Sequence, residues 1–123
     1  MSTSEIATVL AWHDALNTAD YDTLLQLSSD DVEIATPDRA AQGHQALLEW
    51  AQQPGRGTAE AGRLYVHDGV VVAEQTLTGE DGRSTTAASA FRVVHDHITS
   101  VFLHHSLDEA LAATGLTERD LDA

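Results

Sequence analysis

His104 and His105 stand side by side in a chain that has neither cysteine nor lysine, and they are the first place to look for chemistry. Without cysteine there is no thiolate nucleophile and no Cys-ligated zinc site. Without lysine there is no Schiff-base chemistry, since all six basic residues are arginine. Proton transfer near neutral pH therefore falls to imidazole, whose unperturbed pKa is about 6.5. The pair closes the β-rich run "ITSVFLHH". Successive strand side chains point to opposite faces, so one of the two histidines faces inward in either register. Asp38 lies just beyond Pro37, at the end of an earlier β-type run, and is the carboxylate best placed to reach a pocket mouth. His105 with Asp38 could act as a proton-transferring pair. The alternative is a hydrogen-bonded core histidine and a turn-forming aspartate.

Seven histidines also invite a metal-site reading, which spacing weakens. His95 and His97 flank the turn "HDH", while His104 and His105 end the strand that follows. At about 3.3 Å per residue the two groups lie over ~20 Å apart. There is no HExxH and no carboxylate–histidine triad, so neither metal nor cofactor is expected. The net charge of −14, from 20 acidic residues against 6 basic ones, would repel nucleic acid and anionic membrane. A neutral or weakly polar small molecule is the partner that fits.

The elements that must position these groups are helices first, then strands. Ser2 and Glu5 read as a capping box, and Ile6, Val9, Leu10, His13 and Leu16 form a stripe at helical spacing, with His13 in a core role. Asp20 can cap a second helix carrying Leu24, Leu25 and Leu27. Val32-Glu33-Ile34 reads as a short strand, and a third helix runs from about His44 to Gln52. "QPGRGT" reads as a loop, because no strand precedes its glycines and no helix follows. Then "RLYVHDGVVVAEQTL" forms two β-rich runs around Asp68-Gly69, the strongest hairpin signal in the chain. "GEDGR" turns into a second hairpin, and a helix over Asp108 to Thr114 stops at Gly115. One domain over residues 1–123 is expected, α+β in class, with N-terminal helices packed on a strongly curved antiparallel sheet. The N-terminus has no basic segment of the signal-peptide kind and no apolar run nears the length of a membrane span, so a cytoplasmic protein is the default.

This order of elements resembles the nuclear-transport-factor-2-like superfamily, in particular its SnoaL-like polyketide cyclases and ketosteroid isomerases. The residues that carry the resemblance are "LNTADYDTLLQLSSDDVEIATP", "QGHQALLEW" and "FRVVHDHIT". It spans roughly residues 5 to 107. The resemblance implies a cone-shaped fold in which the concave sheet face and the helices enclose a pocket. It also implies that the isomerase chemistry is altered. The general-base aspartate falls on Thr36, the tyrosine donor on Trp12, and the oxyanion-hole aspartate on or beside Ser89. Threonine cannot take a proton at neutral pH, and an indole N–H donates without transferring. Matching the hairpins to the family turns Val71, Ala73, Gln75 and Leu77 inward, with Ser89, Phe91, Val93, Val101, Leu103 and His105.

Two functions are consistent with these residues. One is a cofactor-independent acid/base isomerase, cyclase or dehydratase acting on a small, mostly apolar, carbonyl-bearing molecule. In it His105 and Asp38 move protons, and Trp12, Thr36, Gln75, Ser89, Phe91 and Val101 contact the ligand. The other is a non-catalytic ligand-binding or dimerisation module. Val70, Val72 and Thr76 on the outward side of their strand, with Phe102 as neighbour, suggest a homodimer through the outer sheet face.

Overall fold

Short-range hairpins build most of the sheet. The computed structural model describes residues 3–53 and 57–122, so Ser2 of the expected capping box and Pro54, Gly55 and Arg56 of "QPGRGT" lie outside the described residues. The chain opens with helices α1 (Thr3–Asn17) and α2 (Tyr21–Gln26), followed by strands β1 (Ser28–Ala35) and β2 (Ala40–Gln42) and helix α3 (His44–Ala51). Strands β3 (Thr58–His67), β4 (Val70–Thr78), β5 (Ser84–Val94) and β6 (His97–His104) follow, then helix α4 (Leu107–Thr114) and a 3₁₀ turn at Glu118–Asp120. Asp20 caps α2 by accepting from the Thr23 amide, and Gly115 ends α4 in the left-handed conformation. Asp68 and Gly69 both take positive φ, which is what a two-residue hairpin turn with the right-handed strand twist requires.

The six strands lie in the order β2-β1-β6-β5-β4-β3. The expected antiparallel sheet is in fact mixed: β1 runs parallel to β6, with Ile34 opposite Val101. A parallel pair needs a long crossover rather than a turn, and here four strands and α3 separate the two partners. The sequence reading also shortened β1 and missed β2. Register shifts at Ala61/Leu64 and at Arg92/Val93 bend the long strands, as bulges do, and curve the sheet.

One core fills the concave side, where Val9, Trp12, Leu24 and Leu47 of the helices meet Val71, Phe91 and Val101. On α1 the buried shoulder is Trp12 rather than the expected Leu10, which is 44% exposed. A second core lies on the convex side, where α4 and the C-terminal segment cover Tyr65, Val72, Ala88 and Ala90 with Ala110 and Leu116. The outward patch on which the pairing expectation rested is covered in part by the chain itself. Val72 is fully buried and Val70 packs against the same cluster, while Thr76 and Phe102 stay exposed. Among the described residues no helix is long and apolar enough to cross a membrane.

The outward face of β4 settles the register. Glu74 faces out and receives two hydrogen bonds from Arg63, Nε to Oε1 at 2.9 Å and Nη2 to Oε2 at 3.0 Å. Gln75 therefore points in. The Arg63 hydrogen bonds, opposed by partial burial, hold the Glu74 carboxyl below the usual carboxylate range. A carboxyl depressed in the folded state stabilises the fold above its unfolded pKa and loses that contribution as pH falls through the folded value. Glu74→Gln should therefore lower the thermal midpoint slightly at neutral pH, the effect being small because the pair is solvent-screened. The difference from wild type should vanish in acid, and a difference that persists below the carboxylate range would count against the pair.

Candidate active site: an enclosed polar chain

Three elements bring their polar side chains to one point beneath α1. On β5, Ser89 sits opposite Ala73, which makes it the diagonal neighbour of Gln75 on the concave face. Its hydroxyl donates to Gln75 Oε1 at 2.9 Å. That bond orients the amide and turns Gln75 Nε2 toward His13 Nε2, 2.7 Å away. His13 Nε2 is then the acceptor, so the ring proton sits on Nδ1 and is donated to the Val9 carbonyl one turn back, at 2.9 Å. His13, Gln75 and Ser89 are all buried. Such a chain is tolerated inside a core because each polar group has a partner.

Aromatic rings wall this chain. Phe91 stands 5.3 Å from Trp12 and 5.4 Å from His13, centroid to centroid. Trp50 of α3 stacks on Trp12 at 5.9 Å and 25°. The Trp12 indole donates to Ser28 Oγ at 3.1 Å, and that hydroxyl donates to the Leu24 carbonyl at 2.8 Å. Beside the rings is a partly open cavity of about 200 Å³, lined by Trp12, Trp50, Gln75, Ser89, Val101 and Leu103 among others. No titratable side chain is among its described lining residues. The amide nitrogen of Gln75 carries two hydrogens and gives one to His13, so the second can serve a ligand acceptor.

The expected site residues divide into two groups. Trp12, Gln75, Ser89 and Val101 meet at the cavity. Phe91 packs behind them as a core ring. Thr36 lies elsewhere: its Oγ accepts from the Asp38 and Arg39 amides and closes the turn after β1. Asp38 is exposed in that turn. His105 is exposed too, because β6 ends at His104 and the chain breaks toward Ser106, the cap of α4. Strand alternation does not extend to a residue beyond the strand. His105 borders a surface cleft with Thr36 and Pro37, whereas Asp38 borders another with Trp50. Among the described residues no hydrogen bond or ion pair links them, so the expected His105–Asp38 pair is not assembled. The buried histidine is His13, whose place mid-stripe on α1 was its only signal.

A larger cleft, of about 570 Å³, opens beside His44, His95, His97 and Asp30. It is wide open to solvent. His44 there bonds to the Ser28 carbonyl, and His97 to the His95 carbonyl. Among the described residues no group of three or more His, Asp or Glu side chains could hold a metal ion. The smaller cavity is the better candidate because it is less open and the polar groups of Gln75 and Ser89 on its wall are buried.

The SnoaL-like domain family matches residues 9–101, and the chain belongs to that family. No curated protein matches it. Its fold is shared with a protein from Sinorhizobium meliloti provisionally assigned as a polyketide cyclase, at TM-score 0.74 and 20% identity, over 80% of this chain and 94% of that one. A protein from Kribbella flavida provisionally assigned as a ketosteroid isomerase gives TM-score 0.75 and 19% identity, over 82% and 76% of the two chains. A de novo designed protein with a curved β-sheet gives TM-score 0.75 and 13% identity, over 94% and 95%. Likeness to a designed scaffold at the same level shows that these scores report the fold, and activity has to be argued from the site.

Proposed function

We propose that the chain is a ligand-binding module whose inner cavity takes a small, mostly apolar, carbonyl-bearing molecule without catalysing its conversion. The observation that carries this reading is the closed chain Ser89–Gln75–His13–Val9. Ser89 spends its proton on the amide, Gln75 spends one N–H on the imidazole, and both His13 ring nitrogens are engaged. Abstraction of a proton beside a ketone needs a base within reach of that proton. The described lining offers no carboxylate or imidazole, only the second amide N–H of Gln75 as a donor to a carbonyl oxygen.

Cyclohexanone is a suitable probe, being compact, apolar and a ketone. Its binding should shift the Trp12 indole and Gln75 side-chain amide resonances together. In deuterated water the protein should not accelerate exchange of the ketone's α-hydrogens beyond the buffer rate. Accelerated exchange that His13→Phe removes would replace the binding reading with an acid/base enzyme that uses the buried histidine.

A further inference from the structure

Trp50 lines two spaces at once. It borders the inner cavity and also an outer cleft of about 320 Å³ that Thr36, Asp38, Arg39 and Glu49 line. No other described residue is common to the two linings. Trp50 is only half-buried and sits in the last turn of α3, an eight-residue helix. Its ring stacks on Trp12 at the edge of the main core.

We propose that Trp50 is a movable partition, and that the ligand is a rod whose apolar carbonyl end occupies the inner cavity and whose uncharged, hydrogen-bonding end lies in the outer cleft. The proposal rests on the cavity being a binding site. Turning Trp50 aside joins the two volumes into one channel leading from Ser89 and Gln75 past Trp12 to the turn after β1. The outer end is uncharged because that cleft sets two carboxylates, Asp38 and Glu49, against one guanidinium, Arg39. With −14 on the whole chain, an anionic end would be repelled. Exposed donors and acceptors of both kinds suit a hydroxylated end.

Two ketones of different length separate this inference from the cavity reading. Cyclohexanone needs the inner space alone, whereas acetylbiphenyl, a rigid rod, has to displace Trp50. In Trp50→Ala the cost of displacement is gone, so acetylbiphenyl should bind about ten-fold tighter, whereas cyclohexanone, which loses part of its wall, should not gain. Trp50→Phe keeps more of the packing and serves if the alanine variant does not fold; there the rod should gain about three-fold. Acetylbiphenylcarboxylate, with its acetyl group and carboxylate at opposite ends of the rod, should bind wild type at least about ten-fold more weakly than acetylbiphenyl at low salt. Acetylbiphenyl binding that is unchanged or weakened in the folded variant, with cyclohexanone still bound, overturns the partition and leaves the cavity reading standing. Tighter binding of acetylbiphenylcarboxylate overturns the uncharged end. Failure of wild type to bind cyclohexanone overturns the cavity reading and the partition with it.

Discussion

Gln75→Leu should destabilise the protein by about 2–4 kcal/mol in urea unfolding, even though leucine is apolar, similar in size and placed in a buried site. The amide joins two buried partners. Its removal leaves the Ser89 hydroxyl without its acceptor and takes the Gln75 donor from His13 Nε2, both groups being buried. Each orphaned group costs about 1–3 kcal/mol of desolvation, which outweighs any gain from burying more apolar surface. A double variant, Gln75→Leu with Ser89→Ala, removes one orphan and should cost less than the sum of the two single changes. Loss of under about 1 kcal/mol for Gln75→Leu, or simple additivity in the double variant, would show that the three side chains do not act as one chain. The same variant should lose its hold on cyclohexanone, because the donor aimed into the cavity is gone.

What could be read from the sequence follows from how local each feature is. Asp68-Gly69 announced its hairpin because two adjacent residues that tolerate positive φ admit few other conformations. Matching the hairpins to the family set which face turns inward, and period-two alternation then carried Val71, Ala73 and Gln75, with Ser89, Phe91 and Val93, along the paired strands. The features that escaped depend on distant partners or on strand ends. Nothing near Ile34 indicates that Val101 will lie parallel beside it. Strand β2 is three exposed residues without an alternating pattern. His105 carries the same side chain as His104 and differs only in lying past the last strand residue, which local alternation cannot sense. His13 meets Gln75 across 62 residues of chain, so its spacing on α1 could show burial but not a partner. The family resemblance put Trp12, Ser89 and Thr36 at one pocket, and of these Trp12 and Ser89 line the inner cavity. Thr36 instead spends its hydroxyl on the turn that carries Asp38 and Arg39.

Trp12→Ala should cost about 3–5 kcal/mol, a large share of the stability of a domain this size, and added indole should return part of it. Trp12 is 1% exposed and contacts Phe91, His13 and Trp50. Truncation removes both its apolar burial and its ring–ring contacts. The Ser28 hydroxyl survives the change, because it still donates to the Leu24 carbonyl. Because Trp12 already lines the natural cavity, the space it vacates joins an existing hollow instead of closing over. Such a space is apolar, ring-shaped and capped at one end by Ser28 Oγ, which can accept from an indole N–H. Indole at about ten times its dissociation constant would restore about 1.4 kcal/mol by mass action alone. Calorimetric unfolding with and without indole measures this directly. The variant should rise in midpoint with indole concentration while the wild type, its ring already in place, should gain less. Equal shifts in both proteins, or none in the variant, would mean that the core collapses around position 12 and that the cavity beside it is not a preformed site.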